Sequence, residues 1–292
     1  MSIPFLKDDP LPVGEVAEVA PGVRRLLCGN PGPFTFRGTN TWIIGRGGSV
    51  AVLDPGPEDA AHLAAILAAT AGERITHIIV SHTHRDHSPG AAALQAATGA
   101  PTFGFGPHLT PPEAGGEGGD HGFRPDERLA DGASLEGETW RLCAIHTPGH
   151  CANHLCFALE GTGILFSADH VMSWSTSVVS PPDGDMAAYM ASLARLAARD
   201  DRLFLPGHGP PLPEPAPFLA ALAAHRRERE AMVLDALRAA GRATARELVA
   251  PVYGPALDAR LVPAAARSLL AHLLKLAAEG AAARDGEHWE AR

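Results

Sequence analysis

Residues 1–212 predict a layered α/β catalytic unit, and residues 213–292 a small helical unit of winged-helix type. Three observations carry this. Apolar, β-branched runs alternate with alanine-rich helical runs through the first hundred residues, the pattern of strands covered by helices. Several apolar runs end in or just before histidine or aspartate, so that one edge of the layers collects polar groups. Beyond the proline-rich PPLPEPAP (210–217) the strand signals stop, and three helical patterns lead to a hairpin-like tail.

In order, TWIIG (41–45) and SVAVLD (49–54) read as strands split by the turn RGG. PEDAAHLAAILAATAG (57–72) reads as a helix opened by Pro57 and stopped by Gly72. ITHIIV (75–80) is a core strand. Ser88 and Pro89 are expected to cap and start a helix over 90–99. Residues 107–127, rich in Gly and Pro, read as a long surface loop. Strands return at 140–145, 154–159 and 163–169, the last two joined by the hairpin EGTG. A helix over 185–199 and a strand-to-loop run over 202–209 complete the first unit. The second holds helices over 216–240, 245–254 and 262–280, with AGRAT breaking the first, and a terminal hairpin turning at Asp285-Gly286.

The 292 residues carry a net charge of −9, unevenly placed. The first 212 hold 13 basic and 23 acidic side chains, the remainder 11 and 10. That balance opposes tight, charge-driven nucleic-acid binding by the larger unit. MSIPFLKDDPLP lacks the pattern of a secretory signal, and no apolar run is expected to reach the ~20 residues of a membrane span. Four cysteines without a C-x-x-C pattern read as free thiols in a reducing cytoplasm.

The chemistry concentrates in SHTHRDHSPG (81–90). A lone histidine after a strand is usually packed or exposed, but H-x-H-x-D-H is a motif with a mechanism. In an extended segment His82 and His84 point the same way. With His150 they could bind one metal ion. Asp86 and His87, past the turn, could bind a second with His208, and Asp169 could bridge the two through its two oxygens. Two such ions ~3.5–4 Å apart can share a hydroxide nucleophile. The mixed His and carboxylate set favours zinc, with manganese or iron as alternatives. Asp86 is also the candidate catalytic group, able to orient the nucleophile or take its proton.

H-x-H-x-D-H followed by separated His, Asp and His resembles the metallo-beta-lactamase superfamily of hydrolases. VLDPG (52–56) resembles its first motif, which implies that Asp54 buttresses the metal loop and does not bind metal. The resemblance implies a four-layer αββα sandwich with two metals at one edge of its sheets. NPGPFTFRGTNTWIIG (30–45), PGHCANH (148–154), PGHGP (206–210) and AHLLKLAAEG (271–280) resemble the beta-lactamase-like-protein-2 group. That group carries a C-terminal winged helix and includes a single-strand-specific endoribonuclease. His170 departs from the pattern, standing where a small or thiol residue is expected after the bridging aspartate, and is a candidate for supporting the site or facing substrate. His154 is a candidate for orienting the metal loop. SWSTSVVSPPDGD (173–185) is expected to line the entrance. The other histidines read as structural or surface residues, Cys151 as no ligand, and the run Arg226–Glu230 as a solvated helix face.

Three functions follow. The first is a phosphodiesterase cutting single-stranded RNA, from the group resemblance and the small C-terminal unit. The alternative is a thioesterase or lactonase acting on a small acyl substrate, favoured by the acidic charge and the apolar VMSWS (171–175). The third is a winged-helix nucleic-acid binder with a vestigial hydrolase unit, disfavoured by the full ligand set. True β-lactam hydrolysis is least favoured, because the resemblance implies a bridging Asp169 that lactamases lack. No membrane partner is expected, and a homodimer is an option.

Overall fold

The computed structural model describes residues 3–112 and 118–292. Residues 113–117 of the expected 107–127 loop, and Met1 and Ser2 of the segment tested for a signal, lie outside the described residues.

Two sheets face each other. The first is ordered β1 (Val16–Ala20), β2 (Val23–Leu27), β3 (Asn40–Ile44), β4 (Ser49–Leu53), β5 (Arg74–Ile79), β6 (Thr102–Gly104) and β7 (Glu127–Arg128). It is antiparallel as far as β4 and parallel from β4 to β7, with α1 (Ala60–Ala69) and α2 (Gly90–Thr98) supplying the crossovers from β4 to β5 and from β5 to β6. The second sheet contains β8 (Ser134–Glu136), β9 (Arg141–His146), β10 (Leu155–Leu159), β11 (Ile164–Ala168), β12 (Leu203–Pro206) and β13 (Leu212–Pro213). Helix α3 (Met186–Ala197) carries the chain from β11 to the parallel β12.

Strand alternation decides what lies where. In β3, Trp42 and Ile44 point between the sheets and meet Phe157, Phe166 and Leu205. Ile43, between them, points outward to the layer holding Ile66 of α1 and Leu94 of α2. On the other side, Leu165 and Phe204 meet Tyr189 and Leu193 of α3. Both faces of each sheet are therefore covered, which is why the central strands read as near-continuous apolar runs. Each fully buried side chain of this kind stabilises by roughly 1.5–3 kcal/mol. The result is the αββα sandwich.

Helix α4 (Pro215–Ala240) leaves the sandwich and enters the C-terminal unit. Its Phe218, Leu219 and Leu222 complete the layer over α3, while Val233 and Leu237 belong to a separate core with Leu269, Leu273 and Trp289. That core lies among α5 (Val249–Tyr253), α6 (Val262–Ala278) and a three-stranded sheet of β14 (Arg242–Thr244), β15 (Ala282–Asp285) and β16 (His288–Ala291).

Several expectations are corrected. AGRAT is not merely a break: Arg242–Thr244 pairs with β16 as a wing strand. Helix 245–254 contracts to Val249–Tyr253. Ser88 does not cap α2. Its hydroxyl donates to the Asp120 carboxylate (2.6 Å), and the cap position is Pro89, without a side-chain bond. Arg226 is not on a solvated face but buried. β1 and β2 were not expected, because Glu18 interrupts the apolar pattern of the first and Arg24 and Arg25 that of the second. Arg25 is nonetheless buried, its guanidinium bonded to both oxygens of Asp9 and to Asn40 Oδ1. The helical run Ala259–Ala278, at 20 residues, is long and apolar enough by length and composition to cross a bilayer, contrary to expectation. Here Ala265, Leu269, Leu273 and Leu276 on one face of it close the C-terminal core, and a core helix passes the same length test.

Candidate metal centre

The site forms where β4, β5, β11 and β12 end. After Leu53 the chain turns through Asp54 in the left-handed region, φ 53°. This aims its carboxylate at the next strand end, where it accepts from Ser81 N and Oγ (both 2.7 Å) and meets His87 Nδ1 at 2.9 Å. Beyond Ser81 the loop folds back on itself, with His87 N and Ser88 N both donating to His84 O. Three histidines are thereby presented from one short turn.

Hydrogen bonds on the outer ring nitrogens define which nitrogens face inward. His150 Nδ1 donates to Val178 O (2.7 Å), and His208 Nδ1 to Gly38 O (3.1 Å). The Ser81 hydroxyl gives its proton to Asp54, so it accepts from His82 Nδ1 at 3.0 Å. Each bond leaves Nε2 of that ring pointing into the site. His82 Nε2 and His150 Nε2 then lie 3.0 and 2.9 Å from His84 Nδ1. Three ring nitrogens at this spacing, at least two of them lone pairs, suit a shared cation.

The second set faces it across Asp169. His208 Nε2 is 3.2 Å from Asp86 Oδ2 and 3.5 Å from Asp169 Oδ2. His87 Nε2 is 3.5 Å from Asp169 Oδ1, and His150 Nε2 is 3.7 Å from Asp169 Oδ2. His87 Nε2, His208 Nε2 and Asp169 Oδ1 are buried with no aligned hydrogen bond. Buried polar atoms are rarely left so, and opposite groups held at these distances fit metal ions set between them. His82, His87 and Asp169 form one compact potential ligand group, and Asp86, His87 and His208 another. A third joins Cys151 to His82 and His84. Burial pushes that thiol well above its ordinary value, and it contacts Asn153 Oδ1 instead (3.4 Å).

The two sets differ in charge. Burial drives His84 down to about 3 and His82 well below the ordinary histidine value. Burial also opposes charge on His87 and His208, but the neighbouring carboxylates outweigh it. His87 stands well above its ordinary value, and His208 is raised to about 9. Burial raises Asp86, but His87 and His208 outweigh it and hold it below the usual carboxylate range. A cation entering this set takes the place of protons.

Supporting residues lie around the ligands. His154, kept neutral by burial, accepts Asp169 N–H at Nε2 (3.2 Å) and donates from Nδ1 to Thr147 Oγ1 (2.9 Å). It thus holds the Asp169 backbone. His170 makes no such bond: its ring lies against Tyr189 (centroids 4.6 Å apart), with both nitrogens buried and unpartnered. Sequence reasoning missed Asn40, whose amide donates to Pro206 O and Gly209 O and so ties down the His208 turn. It also missed Gly207, where a Cβ would lie 2.4 Å from Asp169 Oδ1. Both stand in the motif-bearing stretches 30–45 and 206–210, which was the available signal.

Known proteins resemble this chain in sequence and fold. Residues 34–208 match the metallo-beta-lactamase superfamily, and residues 244–289 the beta-lactamase associated winged helix domain. The atrochrysone carboxyl ACP thioesterase AgnL7 of Paecilomyces divaricatus is 34% identical over 277 residues, spanning 92% of this chain and 83% of that one. The lactamase-like protein GME11357 of Pestalotiopsis microspora is 30% identical, over 92% and 84%. Among solved structures, a beta-lactamase domain protein from Burkholderia ambifaria superposes with a TM-score of 0.81 at 25% identity, over 99% and 96%. A metallo-beta-lactamase family protein from Thermus thermophilus, TTHA1429, gives 0.79 at 25%, over 94% and 100%. The expected endoribonuclease-like grouping is corrected by these names, since the curated relatives are a thioesterase and a lactamase-like protein. With the winged helix in place behind the sandwich, the chain belongs to the metallo-beta-lactamase superfamily of hydrolases.

Proposed function

We propose that this hydrolase cleaves acyl thioesters, with the acyl group presented on a pantetheine-type thiol such as that of an acyl carrier protein. The carrying observation is the thioesterase relative, 34% identical across 92% of this chain. It favours the acyl alternative over RNA cleavage, and a net charge of −9 points the same way, away from a polyanionic substrate. Neither RNA binding nor a homodimer gains support from the relatives.

His82, His84 and His150 would hold one divalent cation, Asp86, His87 and His208 a second, and Asp169 would serve both; zinc is the first choice for this donor set. When bound, such ions polarise a carbonyl and make water nucleophilic near neutral pH. Water adds to the thioester carbon, the C–S bond breaks, and the products are an acid and a thiol. Asp86 is the carboxylate in the set with the most access to solvent, its side chain 26% exposed, so it can take the proton of the attacking water and return it to the departing sulfur. His154 and Asp54 keep Asp169 and His87 in register for that step.

The test joins elemental analysis of chelator-free protein to a substrate panel. About two metal equivalents and thioester turnover well above that of bis-p-nitrophenyl phosphate or single-stranded RNA are expected. Preferential RNA cleavage, or an active protein with no metal, would overturn the reading.

A further inference from the structure

A cavity of about 380 Å³ opens between the sandwich and the C-terminal unit. Phe34, Trp174 and Val178 line one side, Tyr253 and Leu261 the other, and Arg226 also lines it. Its size falls within the range of small-molecule sites. Three of the nine exposed large apolar side chains among the described residues, Phe34 (53%), Val178 (40%) and Leu261 (54%), converge on it from distant segments. Apolar surface gathered in this way marks a contact surface for something else.

Two links join this cleft to the metal centre. Val178 lines the cleft and holds His150 Nδ1 with its carbonyl. Trp174 lies against Gly209, next to His208: a Cβ on that glycine would fall 2.7 Å from the indole. The cleft wall therefore touches His150 of one set and the residue that follows His208 of the other. Phe36 stacks on Trp174 (4.9 Å, 17°) and fixes the indole there. Arg226, 6% exposed, reaches over from α4, donates to Ser177 O, and has a buried Nε with no acceptor.

We infer that this cleft binds the acyl group of the substrate, and that it selects an aromatic or extended apolar acyl chain carrying an oxygen acceptor for Arg226. The inference rests on the thioesterase reading. Aromatic walls favour a planar group, and the guanidinium, in an otherwise acidic chain, favours oxygen over hydrocarbon at the inner end. The C-terminal unit thus forms half of a specificity pocket.

Ala264, exposed on α6 at the cleft, allows the cleft to be filled. Acetyl and 6-hydroxy-2-naphthoyl thioesters of N-acetylcysteamine are compared on metal-loaded wild type and Ala264→Trp. The naphthoyl substrate should lose about tenfold more kcat/KM than the acetyl one, chiefly through KM. A non-hydrolysable naphthoylmethyl thioether, followed by calorimetry, should weaken in parallel. Equal losses on both substrates, or an unchanged Kd, would overturn the cleft. If Ala264→Trp does not fold, Phe34→Ala on the facing wall carries the same test. Wild type that binds the thioether in a manner sensitive to these substitutions, yet hydrolyses no thioester, sinks the thioesterase reading and keeps the cleft. Turnover of both thioesters without thioether binding sinks the cleft alone.

Discussion

Two clusters of buried histidine and carboxylate can be compared. At the sheet edge, five histidines and two aspartates converge, with His87 Nε2, His208 Nε2 and Asp169 Oδ1 buried and unpaired. In the C-terminal unit, Glu230 accepts from Lys275 Nζ (2.7 Å) and lies 3.4 Å from His272 Nδ1, and Lys275 also reaches Glu279. The first cluster crowds ring nitrogens and carboxylate oxygens together at 2.9–3.7 Å around three buried atoms that find no hydrogen-bond partner, an arrangement that suits an entering cation. In the second, the carboxylate is closed by Lys275 and His272 Nδ1, and His272 Nε2 alone of its ring nitrogens is buried without a partner. A buried, unpartnered ring nitrogen does not separate the two; the convergence of several potential ligand atoms on one place does.

The comparison breaks most sharply at Asp169, the carboxylate proposed to serve both ligand sets. Asp169→Ala should reduce thioester turnover by at least about 10³-fold, since an interaction of several kcal/mol is lost at two positions. The variant should also retain less than the full metal complement by elemental analysis. Full metal content with near-normal turnover would show that Asp169 serves neither set. Asp86→Asn keeps the size but not the proton affinity. A loss of about 10²–10⁴-fold in kcat with the fold intact by circular dichroism is expected, and a fully active Asp86→Asn enzyme would remove Asp86 from the proton path.

A milder perturbation sharpens the distinction between the two sets. Asp54 touches His87 through Nδ1 but reaches His82 only by way of the Ser81 hydroxyl. Asp54→Ala should therefore weaken metal binding by about 10–100-fold, and at the Asp86, His87, His208 set more than at the other. Metal titration would show one equivalent weakened and one nearly retained. Equal weakening of both would mean that Asp54 supports the whole loop and not one set.

These predictions also show where the sequence was legible. H-x-H-x-D-H was visible because its groups are neighbours in the chain, and His150, Asp169 and His208 because each follows shortly on an apolar strand. The αββα order was partly visible: central strands bury both faces and read as apolar runs, whereas β2 hides behind Arg24 and Arg25, whose charges meet Glu73 and Asp9 only in the folded chain. The carbonyls of Gly38 and Val178 orient two ligands, and backbone oxygens leave no mark on side-chain identity. Arg226 misled for the opposite reason. Its neighbours are charged and its position is helical, so only the packing of α4 on the sandwich reveals that it is buried.

The smallest effect tests the closed cluster. Burial raises the Glu230 carboxyl, but His272 and Lys275 outweigh it and hold it below the ordinary carboxylate value. A depressed folded-state value means that Glu230 contributes stability above the unfolded value, near 4.5, and that this is lost as pH falls through the folded one. Glu230→Gln should then lower stability near neutral pH by about 1 kcal/mol or less, the scale of a partly exposed ion pair. The difference in melting temperature between the two proteins should narrow as pH falls below the carboxylate range, because protonated Glu230 resembles glutamine. Metal content should not change. A melting difference that stays constant down to acid pH would assign the loss to packing, and a loss of metal would mean that the two clusters are coupled through α4 and not independent.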